Sequence, residues 1–445
     1  MAPQTVDYFP PTAAQKESEL QAFIASINPS KVCSLASRHN CFKPCRIFQE
    51  TANGSYNVCF FVEFDETVKW VVRIPSQSSV YNIWDKVQSE VATIRYLEAN
   101  TTIPVPHIHA FGRGGCIDEN NPTGHTFIIQ DYIPGRTLDL SAFRKKNPER
   151  RKYFYAQLID ILAQLRQQEF DHAGSLMPDP GGGDTPVVGP LLSIQLNDLQ
   201  LEKRDFSTKP AKFASAIDFA FHQYHLLDEK YRLPAYNLSQ EVAQLEVFGL
   251  EDLKGRLFSY IDPLWNHGPF VLSHEDLRWP NFIVDEDLRI RGIIDWEWSG
   301  TVPRQFFLPP TWLAGYPPDW VSEVGYRIEY RVFFDVLKAA TSEPCRQLAK
   351  EWGRNLPTRV DLPLAVTLRH HSCFVNMYYR GIFPRFHNGS RDDVVKQFLE
   401  RDGEDGPFTL DIQRKLEHSE RYTRYLREIG FTTPCQSSRL TIKSL

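Results

Sequence analysis

Several absences narrow the field before any motif is read. There is no basic excess: 50 lysines and arginines against 55 aspartates and glutamates give a formal net charge of −5, so no basic field awaits a polyanion and nucleic acid is not an expected partner. No apolar run is long enough to span a bilayer, and the opening Met1-Ala-Pro-Gln-Thr-Val-Asp7 has neither the basic nor the apolar part of a leader. A soluble, cytoplasmic chain without a membrane partner is therefore expected. The closing Lys443-Ser444-Leu445 scrambles the Ser-Lys-Leu order that a peroxisomal receptor reads. Paired short cysteine spacing is missing too, so Cys33, His39, Cys41 and Cys45 read as packing residues rather than zinc ligands. Eight cysteines in so long a chain make no disulfide framework of the small secreted kind. There is no internal repeat, and no strongly acidic run of the sort that favours a polycationic ligand.

At 445 residues the chain exceeds the size at which one core keeps growing, and with 42% hydrophobic and 24% charged residues it has ordinary means to build two lobes and a cleft. Residues 1–44 read as a lead-in, with a loose helical pattern over 13–27. Short apolar runs at 58–64 and 68–74, separated by Asp65-Glu66-Thr67, predict an antiparallel hairpin. Val87, Val91, Ile94 and Leu97 give a helix over 84–100, and Phe127–Gln130 reads as a further strand with the turn-rich exit Asp131-Tyr132-Ile133-Pro134-Gly135. Beyond it the texture is helical, as over 151–169, where Phe154, Leu158, Ile161, Leu162 and Leu165 keep one face. A glycine- and proline-rich loop at 179–186 interrupts it, as do short strands at 270–272, 282–284 and 290–294; helices resume near Val321, and 433–445 read as a tail. The expected fold is α+β and bilobal: a small antiparallel sheet with one helix over 45–133, then a larger, mainly helical lobe over 134–432 holding a catalytic loop at 270–297.

The chemistry concentrates in Ser273-His274-Glu275-Asp276-Leu277-Arg278-Trp279-Pro280-Asn281, followed by a strand, the turn Asp285-Glu286-Asp287, a second strand and Asp295-Trp296-Glu297. If the strands pair as a hairpin, Asp295 returns to the end that holds Asn281 and Asp276. Singly, each of these residues is ordinary turn or cap chemistry. Together they supply what phosphoryl transfer needs: Asp276 to accept and orient an acceptor hydroxyl, and Asn281 and Asp295 as hard oxygen ligands for Mg2+. His274 is expected to hold the loop, and Glu297, two residues past Asp295, reads either as a further group for metal or substrate or as a structural or solvent-facing acid. Glu90 shares a helical stripe with Ile94 and Leu97, which buries an acid unless a cation meets it, and Arg73 on the preceding strand is the natural partner. Trp312, Trp320, Tyr378, Tyr379 and Arg380 are candidate pieces of an acceptor pocket, and Arg369-His370-His371 reads as a solvated helix face.

His274-x-Asp276-x-x-x-x-Asn281, followed by Ile293-Ile294-Asp295-Trp296-Glu297, resembles the paired signature of the aminoglycoside phosphotransferase and choline kinase-like family, which is distantly related to protein kinases. The order of elements agrees over roughly 45–390, and 292–303 with 306–313 resembles a fungal branch of that family. The resemblance implies a protein-kinase-like fold and a phosphotransferase that uses Mg2+ and ATP or GTP on a small-molecule alcohol, with Asp276 and His274 in the catalytic loop. It makes Gly54-Ser55-Tyr56-Asn57 the phosphate-covering loop, and Gln130, Asp131, Tyr132 and Ile133 the link that holds the nucleotide base. Arg73 and Glu90 then stand where the family has a lysine–glutamate pair that positions the phosphates. Arginine for lysine is a departure, because a planar fork and a point charge approach phosphate oxygens differently. The rival expectation is therefore a catalytically impaired nucleotide-binding pseudokinase or scaffold. A protein kinase ranks lower for want of an Ala-Pro-Glu segment after Glu297. A metal hydrolase built on His274, Glu275 and Asp276 suffers because adjacent residues point in different directions.

Overall fold

The computed structural model describes residues 9–115, 117, 124–203, 206 and 208–430; the expected tail and both chain termini lie outside them. Two helices, α1 (Ala13–Ser26) and α2 (Pro29–His39), lead into strands β1 (Arg46–Asn53), β2 (Asn57–Glu63) and β3 (Lys69–Pro75), then helix α3 (Ile83–Asn100) and strands β4 (Ile108–Gly115) and β5 (His125–Asp131). The five strands form one antiparallel sheet in the order β1-β2-β3-β5-β4. The alternation of β3 divides its side chains between two faces. Trp70, Val72 and Ile74 pack with Val58, Phe60 and Val62 of β2 beneath Leu20 of α1 and Val32 and Leu35 of α2. The lead-in helices thus share the core of the sheet. Arg73, out of phase with these, faces α3, whose Val91, Ile94 and Leu97 belong to the main core that runs on into the helical lobe.

That lobe begins with β6 (Arg136–Thr137), α4 (Leu140–Arg144) and α5 (Pro148–Arg166), the last capped by Asn147 and buried along Phe154, Leu158, Leu162 and Leu165. The helix expected to run to Glu169 stops at Arg166, because Glu169 and Phe170 form β7 against the later strand at 270–273. β8 (Ser175–Met177) and β9 (Val187–Gly189) bracket the glycine loop, where Asp179 accepts hydrogen bonds from the N–H groups of Gly181 and Gly183 at 2.9 and 3.1 Å. Three helices follow, α6 (Ile194–Glu202), α7 (Ala216–Arg232) and α8 (Gln240–Tyr260). Next come β10 (Phe270–Ser273), β11 (Phe282–Val284), β12 (Ile290–Ile293) and β13 (Gly300–Pro303), and helices from Val324 to Glu428 complete the lobe. β10 lies between β13 and β7, and β11 between β12 and β6. Among the described residues no helix is long and apolar enough to cross a membrane.

The link between the lobes turns at Gly135, where φ is +150°, a conformation that side chains other than glycine rarely adopt. A Cβ there would sit 2.7 Å from Cγ2 of Ile283 and 2.9 Å from the carbonyl oxygen of Val284. Gly135→Ala is expected to destabilise the protein by more than about 1 kcal/mol and to lower its thermal midpoint. An unchanged midpoint would show that the link relaxes freely.

Candidate active site

The site grows from the hairpin base. Phe282 pairs with Ile293, and the N–H of Ile294 donates to the carbonyl of Asn281 at 3.0 Å, so the residues flanking β11 and β12 lie side by side. Asn281 is buried; its Nδ2 donates to the Asp276 carbonyl at 2.8 Å and reaches Asp276 Oδ2 at 3.4 Å. His274 is also buried, with Nδ1 3.3 Å from the N–H of Asp276 and Nε2 3.0 Å from the carbonyl of Ile294. An Nδ1 that accepts must be unprotonated, so the proton sits on Nε2 and is donated to Ile294. Burial also lowers the imidazole pKa, which favours the neutral ring. His274 therefore ties the loop carrying Asp276 to the strand end carrying Asp295, and acts as a brace. Asp295 has φ +60°, in the left-handed region that aspartate tolerates better than most residues, and the bulkier Trp298 shares that conformation at +62°.

A charge cluster, buried except at Asp295, whose side chain is 40% exposed, joins this base to the N-terminal lobe. Arg73 is 3% exposed; its Nη1 donates to Glu90 and its Nη2 to Asp295 at 2.8 Å, with Glu297 at 3.7 Å. Lys86, one turn before Glu90 on α3 and 1% exposed, pairs with Glu297. Glu297 also accepts from Asn57 Nδ2 at 2.6 Å, while Lys86 reaches Asn57 Oδ1 at 3.3 Å. Burial raises the pKa of Glu90 despite Arg73, and it raises that of Asp295, where Arg73 opposes the rise and Glu297 adds to it. Burial acts upward on Glu297 as well, but Lys86 and Arg73 outweigh it and hold the carboxyl below its ordinary value.

The cluster sets two cations, Arg73 and Lys86, against three carboxylates, Glu90, Asp295 and Glu297. When all are ionised one negative charge is in excess, and a divalent cation would meet it. No group of three or more His, Cys, Asp or Glu side chains that could hold a metal exists among the described residues. Magnesium is usually held by one or two protein oxygens together with substrate phosphates. Asn281 already spends its amide nitrogen on Asp276, so its amide oxygen is the atom left for such an ion.

The remaining expected residues divide. Gly54 and Ser55 are exposed at the β1–β2 turn, which the Gly54 N–H closes on the Asn57 carbonyl at 3.0 Å. Tyr56 turns inward with its ring centroid 5.3 Å from that of Trp298, and Asn57 is buried on Glu297. Asn57 thus ties the loop to the segment that follows Asp295. In the link, Gln130 is buried within β5, and the N–H groups of Asp131 and Tyr132 are taken by the carbonyls of His107 and Lys69, both at 3.0 Å. Ile133 packs so closely on β12 that a Cβ at Gly292 would meet its Cδ1 at 2.2 Å.

Asp276 opens onto a cavity of about 310 Å³ lined in part by Trp279, Trp312 and Arg369. Of the expected pocket residues Trp312 lines it, whereas Tyr378 bonds Asp252, Tyr379 bonds the Leu245 carbonyl at 2.8 Å and Arg380 pairs with Glu323 at 3.3 Å beside Trp320. Arg369-His370-His371 is no solvated face. Arg369 pairs with Glu275 at 3.2 Å, and burial depresses both histidines to about 3. Lys86 was missed altogether. Its one legible sign is the i,i+4 spacing to Glu90 on a stripe that Ile94 and Leu97 show to be buried.

The chain spans less than two thirds of the length of the curated relatives it matches. It is 27% identical over 271 residues to clavilactone A biosynthesis cluster protein Y of Ampulloclitocybe clavipes, covering 58% of this chain and 62% of that one. It is 28% identical over 129 residues to altered inheritance of mitochondria protein 9 of Meyerozyma guilliermondii, covering 28% and 20%. Both of these organisms are fungi. Among solved structures, the GDP complex of wild-type aminoglycoside 2'-phosphotransferase-IIIa aligns at 15% identity and TM-score 0.44, covering 89% and 99% of the two chains. The ethanolamine kinase of Plasmodium vivax aligns at 15% identity and TM-score 0.40, covering 85% and 84%. The sequence profile of the phosphotransferase enzyme family matches residues 48–306, more than half of the chain and the whole of the charge cluster and the loop that carries Asp276, and the protein belongs to that family.

Proposed function

We propose that the protein moves the terminal phosphoryl group of ATP or GTP to a hydroxyl of a small molecule, with Mg2+. The observation that carries this reading is the meeting of Asp276, Asn281 and Asp295 at one hairpin base, beneath a buried Arg73–Glu90 pair. The A. clavipes relative, named for a biosynthesis cluster, points toward a small-molecule acceptor.

Asp276 is the group that takes the acceptor proton. Its Oδ2 is occupied by Nε of Arg278 at 3.0 Å and approached by Asn281, which leaves Oδ1 for the hydroxyl. The acceptor oxygen gives its proton to Oδ1 and bonds to the terminal phosphorus, while the bond from that phosphorus to the bridging oxygen breaks and a nucleoside diphosphate leaves. Asn281 and Asp295 are the residues that would hold magnesium. The chemistry such an ion would supply is neutralisation of the phosphate charge. Arg73 holds Asp295 and Glu90 with its two terminal nitrogens; the planar fork bridges both lobes in a way a point charge does not. Gly54 and Ser55 are the exposed residues of the turn that would lie over the phosphates, and the link at Ile133 is the place for the base.

The pseudokinase reading draws on the same Arg73–Asp295 contact, because a carboxylate kept by arginine is withheld from metal. Transfer of label from γ-labelled ATP to compounds in a metabolite extract separates the two readings. Asp276→Asn is expected to cut transfer by about 10²–10⁴-fold with nucleotide affinity kept. Nucleotide binding without transfer to any extract would establish the pseudokinase instead. Lys86→Met leaves Glu297 buried without its main partner and is expected to cost about 3–5 kcal/mol in chemical denaturation. Adding Glu297→Gln should recover part of that loss; no recovery would show that the pair is not the source of the cost.

A further inference from the structure

The cavity at Asp276 has a charge balance and a wall that favour one class of acceptor. Its acids are Asp276 and Glu275, its bases Arg278 and Arg369, and they are already matched within the protein: Arg278 on Asp276 at 3.0 Å, Arg369 on Glu275 at 3.2 Å. Arg369 is fixed further by donating to the Phe306 carbonyl at 3.1 Å. No carboxylate there stands without a cation of the protein's own. Of the rings that line it, Tyr316 is engaged elsewhere, stacking on Trp320 at 5.3 Å with Arg144 5.9 Å from its own ring. An ammonium ligand favours a site with free carboxylates, and the two that line this cavity are each paired with an arginine of the protein. What remains open is apolar: Leu308, Pro309, Pro310, Trp312, Pro317 and Pro318 line the space. Trp312 is held in place by donating from Nε1 to the Leu277 carbonyl at 2.7 Å, so this wall is fixed to the catalytic loop itself. A volume of about 310 Å³ lies at the small end for ligand pockets and suits a molecule of one or two rings.

We propose that the acceptor is an uncharged, ring-bearing alcohol or phenol that lays its apolar body on Trp312 and the proline-rich wall and presents its hydroxyl to Asp276, with Arg369 excluding cationic alcohols by masking Glu275. This rests on the phosphotransferase reading of the site. The transfer is the one already described: the ligand's O–H proton passes to Asp276, its oxygen bonds to phosphorus and the nucleoside diphosphate departs. Arg369 touches none of the reacting atoms and acts on specificity alone.

The probes are 2-naphthylmethanol, choline and kanamycin, titrated by calorimetry into the full chain without nucleotide, so that binding is read apart from turnover. 2-Naphthylmethanol is expected to bind wild type, and choline and kanamycin not to. Trp312→Ala should weaken the neutral ligand at least about tenfold, the loss of one well-packed aromatic contact. Trp312 also holds the loop, so Leu308→Asp, which adds a carboxylate to the wall and leaves that bond in place, is the second variant; it should lose 2-naphthylmethanol and gain choline. Arg369→Met, with its fold checked by thermal melting, should gain choline as well. Tighter binding of choline or kanamycin than of 2-naphthylmethanol to wild type overturns the proposal, and so does a neutral ligand indifferent to Leu308→Asp. If labelled phosphate passes from ATP to choline, the acceptor class alone is wrong. If 2-naphthylmethanol binds and no acceptor is ever labelled, the phosphotransferase reading fails instead.

Discussion

A guanidinium buried away from water must find its counter-charges inside the protein, and Arg73 finds them on two other segments of the chain. It stands on the middle strand of the sheet, pairs with Glu90 on α3 and reaches Asp295 just beyond β12. Removing one partner from such a group leaves an uncompensated charge in a poorly solvated place, which is far more costly than losing a surface pair. The strand, the helix and the hairpin are therefore held to one mutual arrangement, and the cleft between the lobes takes its shape from that.

Lys86 extends the same logic to the turn over the cleft. By pairing with Glu297 and contacting Asn57 it ties the root of the β1–β2 turn to the segment that carries Asp295. The division of labour accounts for arginine at the strand position. A planar fork grips two carboxylates at once, while the compact ammonium one helical turn away answers the third. The charges that line the cavity beside Asp276 are paired with one another, Arg278 with Asp276 and Arg369 with Glu275.

Much of this was legible because the informative residues lie in short, strongly patterned stretches. The strand at 282–284 is an apolar run, Ile290 and Ile293 bound the strand after the acidic turn, and their pairing sets the segments that carry Asn281 and Asp295 side by side. The Arg73–Glu90 pair follows from asking what a buried acid needs. β4 was missed because His109, Gly112, Arg113, Gly114 and Gly115 break any alternation. The covering role of α1 and α2 depends on the sheet they meet, which local periodicity does not reveal. Lys86 draws no notice in the sequence and Arg369 reads as solvated, for one shared reason. A cation on a helix is solvated by default, and only a partner distant in sequence, Glu297 for one and Glu275 for the other, draws it inside.

The central claim is that the hairpin base and the buried cluster form a magnesium-dependent nucleotide site. Calorimetric titration of ATP and then GTP into wild type and Asp295→Ala, with and without magnesium, tests it most directly. Wild type should bind one of the nucleotides far more tightly with magnesium than without, and Asp295→Ala should lose that difference. Binding that ignores magnesium, or a magnesium effect that survives Asp295→Ala, would contradict the claim.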